Sequence, residues 1–489
     1  MNNNTYTLTV SPLNLPSHYS MADIFAHFSD KPWAMFLDSA DSKRQDGRFD
    51  IMVANPITTI TTMGSISNVW HQNTNKNVES SLNPLTLLQS LLEQNMPSDQ
   101  VMFSHNLKLP FMAGALGLFG YDLGKRFESL PNKNVNEYST PDMAIGIYSW
   151  SVIKDNINQQ FYLCYLDQYA HPTIKDIQQL VDCDNTPYSF SLTSQWQANM
   201  SQEQYTQKIS CILSYLQAGD CYQINLAQRF SASYMGDEWQ AYQQLRLANH
   251  APFSAFIRLV DSVVMSISPE RFLSLNERIV QTKPIKGTRP RFNDPIQDQQ
   301  QIESLLSAEK DRAENLMIVD LLRNDLSKHC QPGSVDVPEL FKLESFAAVH
   351  HLVSTVTGKL KTNSSVMDLL QGAFPGGSIT GAPKIRAMEI IDELEPNNRN
   401  IYCGSIGYIG VFGDMDTNIC IRTLLCEQSH EKSGEQSKNQ QTMHCWAGGG
   451  IVLDSNAKDE YQESLDKVSK ILPVLSSGSP LSKLDKNYG

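Results

Sequence analysis

The sequence predicts an α+β protein in which helices flank antiparallel sheets. Three observations carry that expectation. The first 170 or so residues are dominated by β-branched and alternating runs, residues 221–282 break into short strand-like segments, and helical patterns follow at 295–328, 383–394 and 457–472. Short segments separated by tight turns favour antiparallel pairing, since parallel strands need long crossovers.

Taken in order, Arg48–Met63 is rich in Ile, Thr and Val, and Met143–Lys154 with Gln159–Asp167 reads as a hairpin turning at Asp155-Asn156. The polar stretch Asp182–Gln197 marks a boundary. It divides an N-terminal region, 1–180, from a second domain at 195–475, with 476–489 as a frayed Ser/Lys-rich tail. A helix over Gln202–Ala218 has Ser201 as N-cap and Gly219 as its stop. Strands are expected at Cys221–Tyr234, Phe253–Leu259, Ser262–Ile267 and Arg278–Thr282. One long helix is expected from Pro295 to Lys328, ending before Pro332-Gly333. Another opens at Pro383, two strands at 404–412 and 416–426 meet near Gly413-Asp414, and Glu427–Gln441 is a solvated polar loop.

Composition narrows the function. The formal charge of -13 makes nucleic acid or an anionic membrane a poor partner. The nine cysteines (164, 183, 211, 221, 330, 403, 420, 426 and 445) form no C-x-x-C pair, so neither a disulfide framework nor a zinc knuckle is indicated. The N-terminus lacks a basic region followed by an apolar run, and the most apolar stretch, Phe111–Phe119, is too short to span a bilayer. The expected location is cytoplasmic.

Three constellations could do chemistry. Asp311 and Glu314 share one helix face, as do Glu460 and Glu463, so two helices could each offer a pair of carboxylates to a hard divalent cation. Taken alone, the same spacing also fits a solvated helix face. Gly376-Gly377-Ser378-Ile379-Thr380-Gly381 runs into a helix, and Gly448-Gly449-Gly450 follows a strand, both places where backbone N–H groups can bind carboxylates. The first run is not a P-loop, because Ala382 and Pro383 stand where Lys and Ser/Thr are required. Glu270 ends one strand and Lys286 follows another. If consecutive strands bring them into one pocket, burial would supply a neutral amine nucleophile and a protonated acid. On spacing alone, an exposed lysine and a turn glutamate is the better reading of the pair. His350-His351 opens a further strand, where one imidazole could face a ligand.

Together these segments resemble the chorismate-utilising family, which includes anthranilate and isochorismate synthases. The resemblance rests on Gly219-Asp220-Cys221-Tyr222-Gln223-Ile224-Asn225, Ser268-Pro269-Glu270, Asp311-Arg312-Ala313-Glu314-Asn315, Val349–Ser354, Pro375–Lys384, Ile421-Arg422-Thr423, Ala447–Ile451 and Glu460-Tyr461-Gln462-Glu463. It implies large antiparallel sheets packed as a sandwich with flanking helices. Within the family, Pro284-Ile285-Lys286-Gly287-Thr288 is similar to the aminodeoxychorismate synthase component I branch, whereas anthranilate synthases carry Ala at the lysine position. The resemblance implies Lys286 as covalent nucleophile and Glu270 as general acid. It implies Glu314 and Glu463 as magnesium ligands, with Asp311 and Glu460 acting through water or supporting those ligands from behind. His351, Arg422, Lys467, Gly448, Gly449, Gly450, Thr288 and Thr380 would contact substrate.

The same resemblance implies a pocket for bound L-tryptophan at Leu37, Ser39, Arg48, Pro252 and Phe253, with Asp38 where the feedback-regulated form usually has Glu, which argues against strong inhibition; an ordinary sheet-edge packing cluster is the alternative. No Gly-x-Cys-x-Gly turn of a glutaminase is present. Ammonia is therefore expected from a separate glutamine amidotransferase subunit. Two rival readings stay open. An anthranilate synthase component is disfavoured by Lys286, and a non-catalytic binder of the same fold is disfavoured by the joint presence of acid, nucleophile and carboxylates.

Overall fold

The computed structural model describes residues 5–16, 18–40, 45–104, 107, 109–131, 133, 136–181, 189–345, 349–428 and 441–476. The tail beyond 476, most of the 427–441 loop, and Cys183 lie outside them. Two large, predominantly antiparallel sheets, of 14 and 12 strands, face each other across the core, with helices outside. The α+β expectation holds. No helix among the described residues is long and apolar enough to cross a membrane.

The sheets are built by a chain that repeatedly changes sheet. Phe49–Val53 belongs to the larger sheet and Thr58–Met63 to the smaller. Met143–Tyr148 lies in the smaller sheet and Trp150–Asp155 in the larger. The expected single strand Met143–Lys154 is therefore two, broken at Ser149. Its unbroken apolar run reflects burial on both faces, since every residue of both strands is buried. The hairpin at Asp155 survives, as Trp150–Asp155 pairs with Gln160–Leu166. Likewise 416–426 divides into Met415–Asn418, in the smaller sheet, and Thr423–Gln428, in the larger. Corners where strands pass from one packed sheet to the other are a usual way to close such sandwiches.

Residues on both sides of 182–197 supply strands to both sheets. In the larger sheet Phe253–Arg258 pairs with Met35–Asp38, and in the smaller Ser405–Gly410 pairs with Gly114–Phe119. One buried cluster consequently draws on residues from Leu8 to Trp446.

The helix at Gln202–Ala218 forms as expected, with a Ser201–Gln204 capping box and Gly219 at φ 84. The long helix does not. It divides at Ala308 (φ -69, ψ 97) into Pro295–Ser307 and Glu309–Ser327, a break that no Pro or Gly announces. Helices at Pro84–Asn95 and Glu238–Asn249 also escape the sequence reading. The second has an Asp237 cap and buries one face through residues 238, 239, 241, 242, 245 and 246, but Glu238 and Arg246 fall on that face and interrupt its apolar pattern. The expected last helix ends at Asp466, and a short one covers Leu472–Ser476.

Candidate active site

Two sheet-crossing corners form the floor of the site. Pro269-Glu270 joins Ser262–Ser268 of the larger sheet to Arg271–Asn276 of the smaller, and Ile419–Arg422 makes the return crossing. The corners are tied together: the Ile419 N–H donates to the Glu270 carbonyl at 3.0 Å, and the Ile267 N–H to the Arg422 carbonyl at 3.1 Å. Arg422 sits at φ 52. Its half-buried guanidinium has no hydrogen-bond or ion-pair partner among the described residues, which leaves its fork available to a carboxylate. Burial holds it below the usual arginine range, with Glu270 opposing.

Glu270 is 7% exposed. Burial pushes its carboxyl up to about 7, against the opposing effects of Lys286 and of the Ile285 N–H that donates to it. Ser378, in the turn Gly377–Ile379, donates to its Oε1 at 3.5 Å. A carboxyl with that affinity is still substantially protonated near neutrality, as a general acid must be.

Lys286 lies on the strand Ile285–Pro290, at one end of the smaller sheet, opposite Leu352 of Val349–Lys359. The register shifts between Lys286 and Thr288, around Gly287 at φ 75. This bulge re-aims the lysine. Glycine is required there twice over, since a Cβ would also meet Leu305 Cδ1 at 2.8 Å and the Asp311 carboxyl carbon at 3.1 Å. Glu270 and Lys286 are not on neighbouring strands, because Ile279–Thr282 and Val349–Lys359 intervene. The fold nevertheless brings their charges together. Burial pulls the Lys286 amine below its ordinary value, while Glu314, Glu270 and Glu463 pull the other way.

The two acidic helices do converge. Lys310 Nζ lies 3.9 Å from Glu314 Oε1 on its own helix and 3.8 Å from Glu460 Oε1 on Ala457–Asp466. Burial raises the Glu314 carboxyl despite Lys286 and Lys310. Burial also raises Glu460, which accepts from Ser455 Oγ at 2.6 Å. Burial alone would raise Glu463 too, but Lys467, 2.7 Å away, brings it below the usual glutamate range. Asp311 pairs with Arg289 at 3.2 Å.

All four donors are carboxylates facing one region, which fits a hard, oxygen-seeking cation such as magnesium. No three acidic or imidazole side chains among the described residues cluster tightly enough to enclose an ion by themselves. Buried Asn315 accepts from Ser354 Oγ at 2.6 Å and fixes the Asp311 helix against the strand carrying His351. Ser378, Lys310 and this Asn315–Ser354 pair were not singled out from sequence. For Lys310 the available signal was its place beside Asp311.

The remaining expected residues divide. Buried His351 meets Thr288 Oγ1 through Nδ1 at 2.9 Å, so this pair does lie on the Lys286 strand pairing. His350 is turned into structure, bonded to Ser345 and Asp298. Gly448, Gly449 and Gly450 lie within the strand Gln441–Ile451 rather than after it, opposite Ala227, Leu226 and Asn225. The neighbouring strand Thr423–Gln428 pairs with this one only up to Cys445, so beyond that point no described strand covers the same edge. A Cβ on Gly449 would come within 3.2 Å of Glu463 Oε1 and 3.3 Å of Lys467 Nζ, so the missing side chain is what admits those groups. Lys467 itself donates to the Gly448 carbonyl at 2.8 Å. Thr380 is fully buried and its hydroxyl is committed to the Gly376 carbonyl at 3.0 Å, which makes it part of the turn.

Away from this site, Leu37, Asp38, Arg48, Pro252 and Phe253 line a cavity of about 1220 Å³ between the sheets. Buried Asp38 accepts from Tyr242 at 2.8 Å and Arg246 at 2.7 Å, and Arg48 pairs with Asp155 at 2.6 Å. Ser39 faces the other way, donating to buried Asp50 through Oγ at 2.5 Å.

Known proteins resemble the chain along most of its length. A family model described as chorismate binding enzyme matches residues 35–473. Aminodeoxychorismate synthase component 1 of Klebsiella aerogenes is 50% identical over 472 residues, covering 96% of this chain and 100% of that one. The protein of the same name from Escherichia coli K12 is 50% identical over 92% of this chain and 95% of its own length. Anthranilate synthase component I from Streptococcus pneumoniae superposes with a TM-score of 0.70 at 30% identity, over 87% of this chain and 92% of that one. The menaquinone-specific isochorismate synthase of Escherichia coli, at 17% identity and a TM-score of 0.68, shares the fold. With the acid, the lysine and the paired carboxylates gathered at one place and relatives matched along nearly its whole length, the chain belongs to the family of chorismate binding enzymes.

Proposed function

We infer that this chorismate-utilising enzyme replaces the C4 hydroxyl of chorismate by an amino group, giving 4-amino-4-deoxychorismate on the way to p-aminobenzoate and folate. The observation that carries the reading is Lys286: an amine drawn below its ordinary value by burial, within the electrostatic reach of an acid held at about 7.

Neutral Lys286 attacks C2 of the ring. The two ring double bonds shift toward C4, the C4–O bond breaks, and Glu270 gives its proton to the departing hydroxyl, which leaves as water. Ammonia then forms a bond to C4, the double bonds return, and the C2–N bond to Lys286 breaks. The proton that ammonia sheds restores Glu270. Arg422, Lys467 and the Gly448–Gly450 edge hold the substrate carboxylates, and His351 with Thr288 borders the ring. Glu314 and Glu463, supported by Asp311 and Glu460, would hold a magnesium ion, whose charge offsets repulsion between substrate carboxylate and acidic helices. Ammonia comes from a separate glutamine amidotransferase subunit, in keeping with the "component 1" of the relatives' name.

The deciding experiment supplies purified protein with chorismate, magnesium and ammonium and identifies the product. 4-Amino-4-deoxychorismate is expected; anthranilate or isochorismate would overturn the assignment. Lys286→Ala should lose at least 100-fold in rate and show no chorismate-derived mass adduct, and parental activity in that variant would remove the covalent step. L-tryptophan is proposed as the occupant of the inter-sheet cavity. Leu37, Pro252 and Phe253 supply apolar lining there, with Asp38 and Arg48 alongside. Mass spectrometry of the denatured protein should release tryptophan, and its absence would empty the proposal.

A further inference from the structure

Lys310 is poorly placed for its own helix. Glu309–Ser327 opens without a side-chain cap, and its first turn carries Glu309 and Asp311, the charges that the positive end of a helix favours. A lysine among them opposes the helix dipole. Its i,i+4 partner Glu314 lies C-terminal to it, the weaker order for such a pair. Helix stability therefore does not explain the residue; its tertiary position does. The ammonium lies 3.8 Å from Glu460 and 3.9 Å from Glu314, and its contact with Glu460 is the one ion pair among the described residues that joins the two acidic helices.

Other cations act on the same carboxylates, and the charge of Lys286 is felt by both Glu314 and Glu463. Lys467 is bonded to the Gly448 carbonyl and to Glu463, and Arg289 to Asp311. Among the described residues Lys310 alone makes ion-pair contacts to carboxylates on both helices, at 3.9 and 3.8 Å, through a side chain that is 56% exposed and so has room to swing aside. An ammonium and a divalent cation seeking the same carboxylates repel one another and compete for the same oxygens.

We propose that Lys310 is an internal counter-cation for the acidic site: it holds the two carboxylate helices together and is displaced when a divalent ion binds, which weakens metal affinity. The inference rests on the reading of Glu314 and Glu463 as metal ligands. A tether of this kind keeps the acidic helices apposed at low metal concentration and makes metal uptake a readily reversible exchange.

The test measures Mn²⁺ binding directly, by titration calorimetry and by the electron paramagnetic resonance signal of the free ion, in the full chain without substrate. Lys310→Met should bind Mn²⁺ roughly three- to tenfold more tightly than the parent, the size expected for removing one partly solvated charge. Lys310→Arg, which keeps the charge, should stay within about twofold. Without metal, Lys310→Met should melt at a lower temperature than the parent, and saturating Mn²⁺ should close or reverse that gap. Equal or weaker Mn²⁺ binding by Lys310→Met overturns the counter-cation role while leaving the metal site standing. Failure of both parent and variant to bind Mn²⁺ removes the metal reading itself, and the inference with it.

Discussion

At the scale of single residues, the chemistry of Glu270 and its stability work against each other. Its carboxyl rises from 4.5 to about 7 on folding because burial penalises the charged form. The folded protein thus holds that proton more tightly than the unfolded chain. The associated stability is present below about pH 4.5 and is lost as pH rises to about 7, a difference of roughly 3 kcal/mol at most. Glu270→Gln, neutral at every pH, should therefore melt like the parent at pH 4 and be more stable at pH 8, while turnover falls 100-fold or more. Thermal melts at the two pH values check the first part and product formation the second. In the parent, formation of the lysine adduct from chorismate without ammonia should decline as pH passes about 7, because the acid loses its proton. A variant destabilised at pH 8, or adduct formation that keeps rising through pH 9, would contradict this account. The sequence placed Glu270 and Lys286 at strand ends that could share a pocket, but their burial depends on two intervening strands that spacing does not reveal.

At the scale of elements, the Lys286 strand shows what spacing can and cannot reveal. Pro284, Gly287 and Thr288 mark a turn-like irregularity, and the structure turns that signal into a bulge with Gly287 at φ 75, packed against Leu305 and the Asp311 carboxyl. Gly287→Ala adds both backbone strain and a contact at 2.8 Å, so it should cost about 1–3 kcal/mol in urea unfolding and impair Lys286 more than chorismate binding. An alanine variant of parental stability and turnover would show that the bulge is not needed. The pairing of carboxylates three residues apart was legible, because helical periodicity puts such residues on one face. Their convergence was not, because it depends on how Glu309–Ser327 and Ala457–Asp466 are placed by strands far apart in sequence. The break at Ala308 and the two crossings at Ser149 and Ile419–Arg422 were hidden for the same reason. Each is imposed by tertiary packing on segments whose local pattern runs straight through.

At the scale of the whole molecule, the polar stretch at 182–197 separates two lengths of chain that share both sheets. Phe253–Arg258 needs Met35–Asp38 beside it, and Ser405–Gly410 needs Gly114–Phe119. A protein beginning at residue 195 would expose these paired edges together with the buried face of each sheet. It should show no cooperative urea transition by circular dichroism and should not bind chorismate. A cooperative transition in that fragment would instead make 195–475 an independent folding unit. The α+β class could be read from the order of elements; the interleaving could not, since turn spacing says nothing about which sheet a strand joins.

The position of Lys286 bears on how such an enzyme could diversify. The residue sits on a strand at the end of its sheet, beside a bulge, with its amine drawn into the site and its strand outside the buried clusters that hold the two sheets together. Replacing it would leave the packing of the core almost untouched. In the proposed reaction, a single substitution there would change the group offered to a bound ring without disturbing the sheets that carry it.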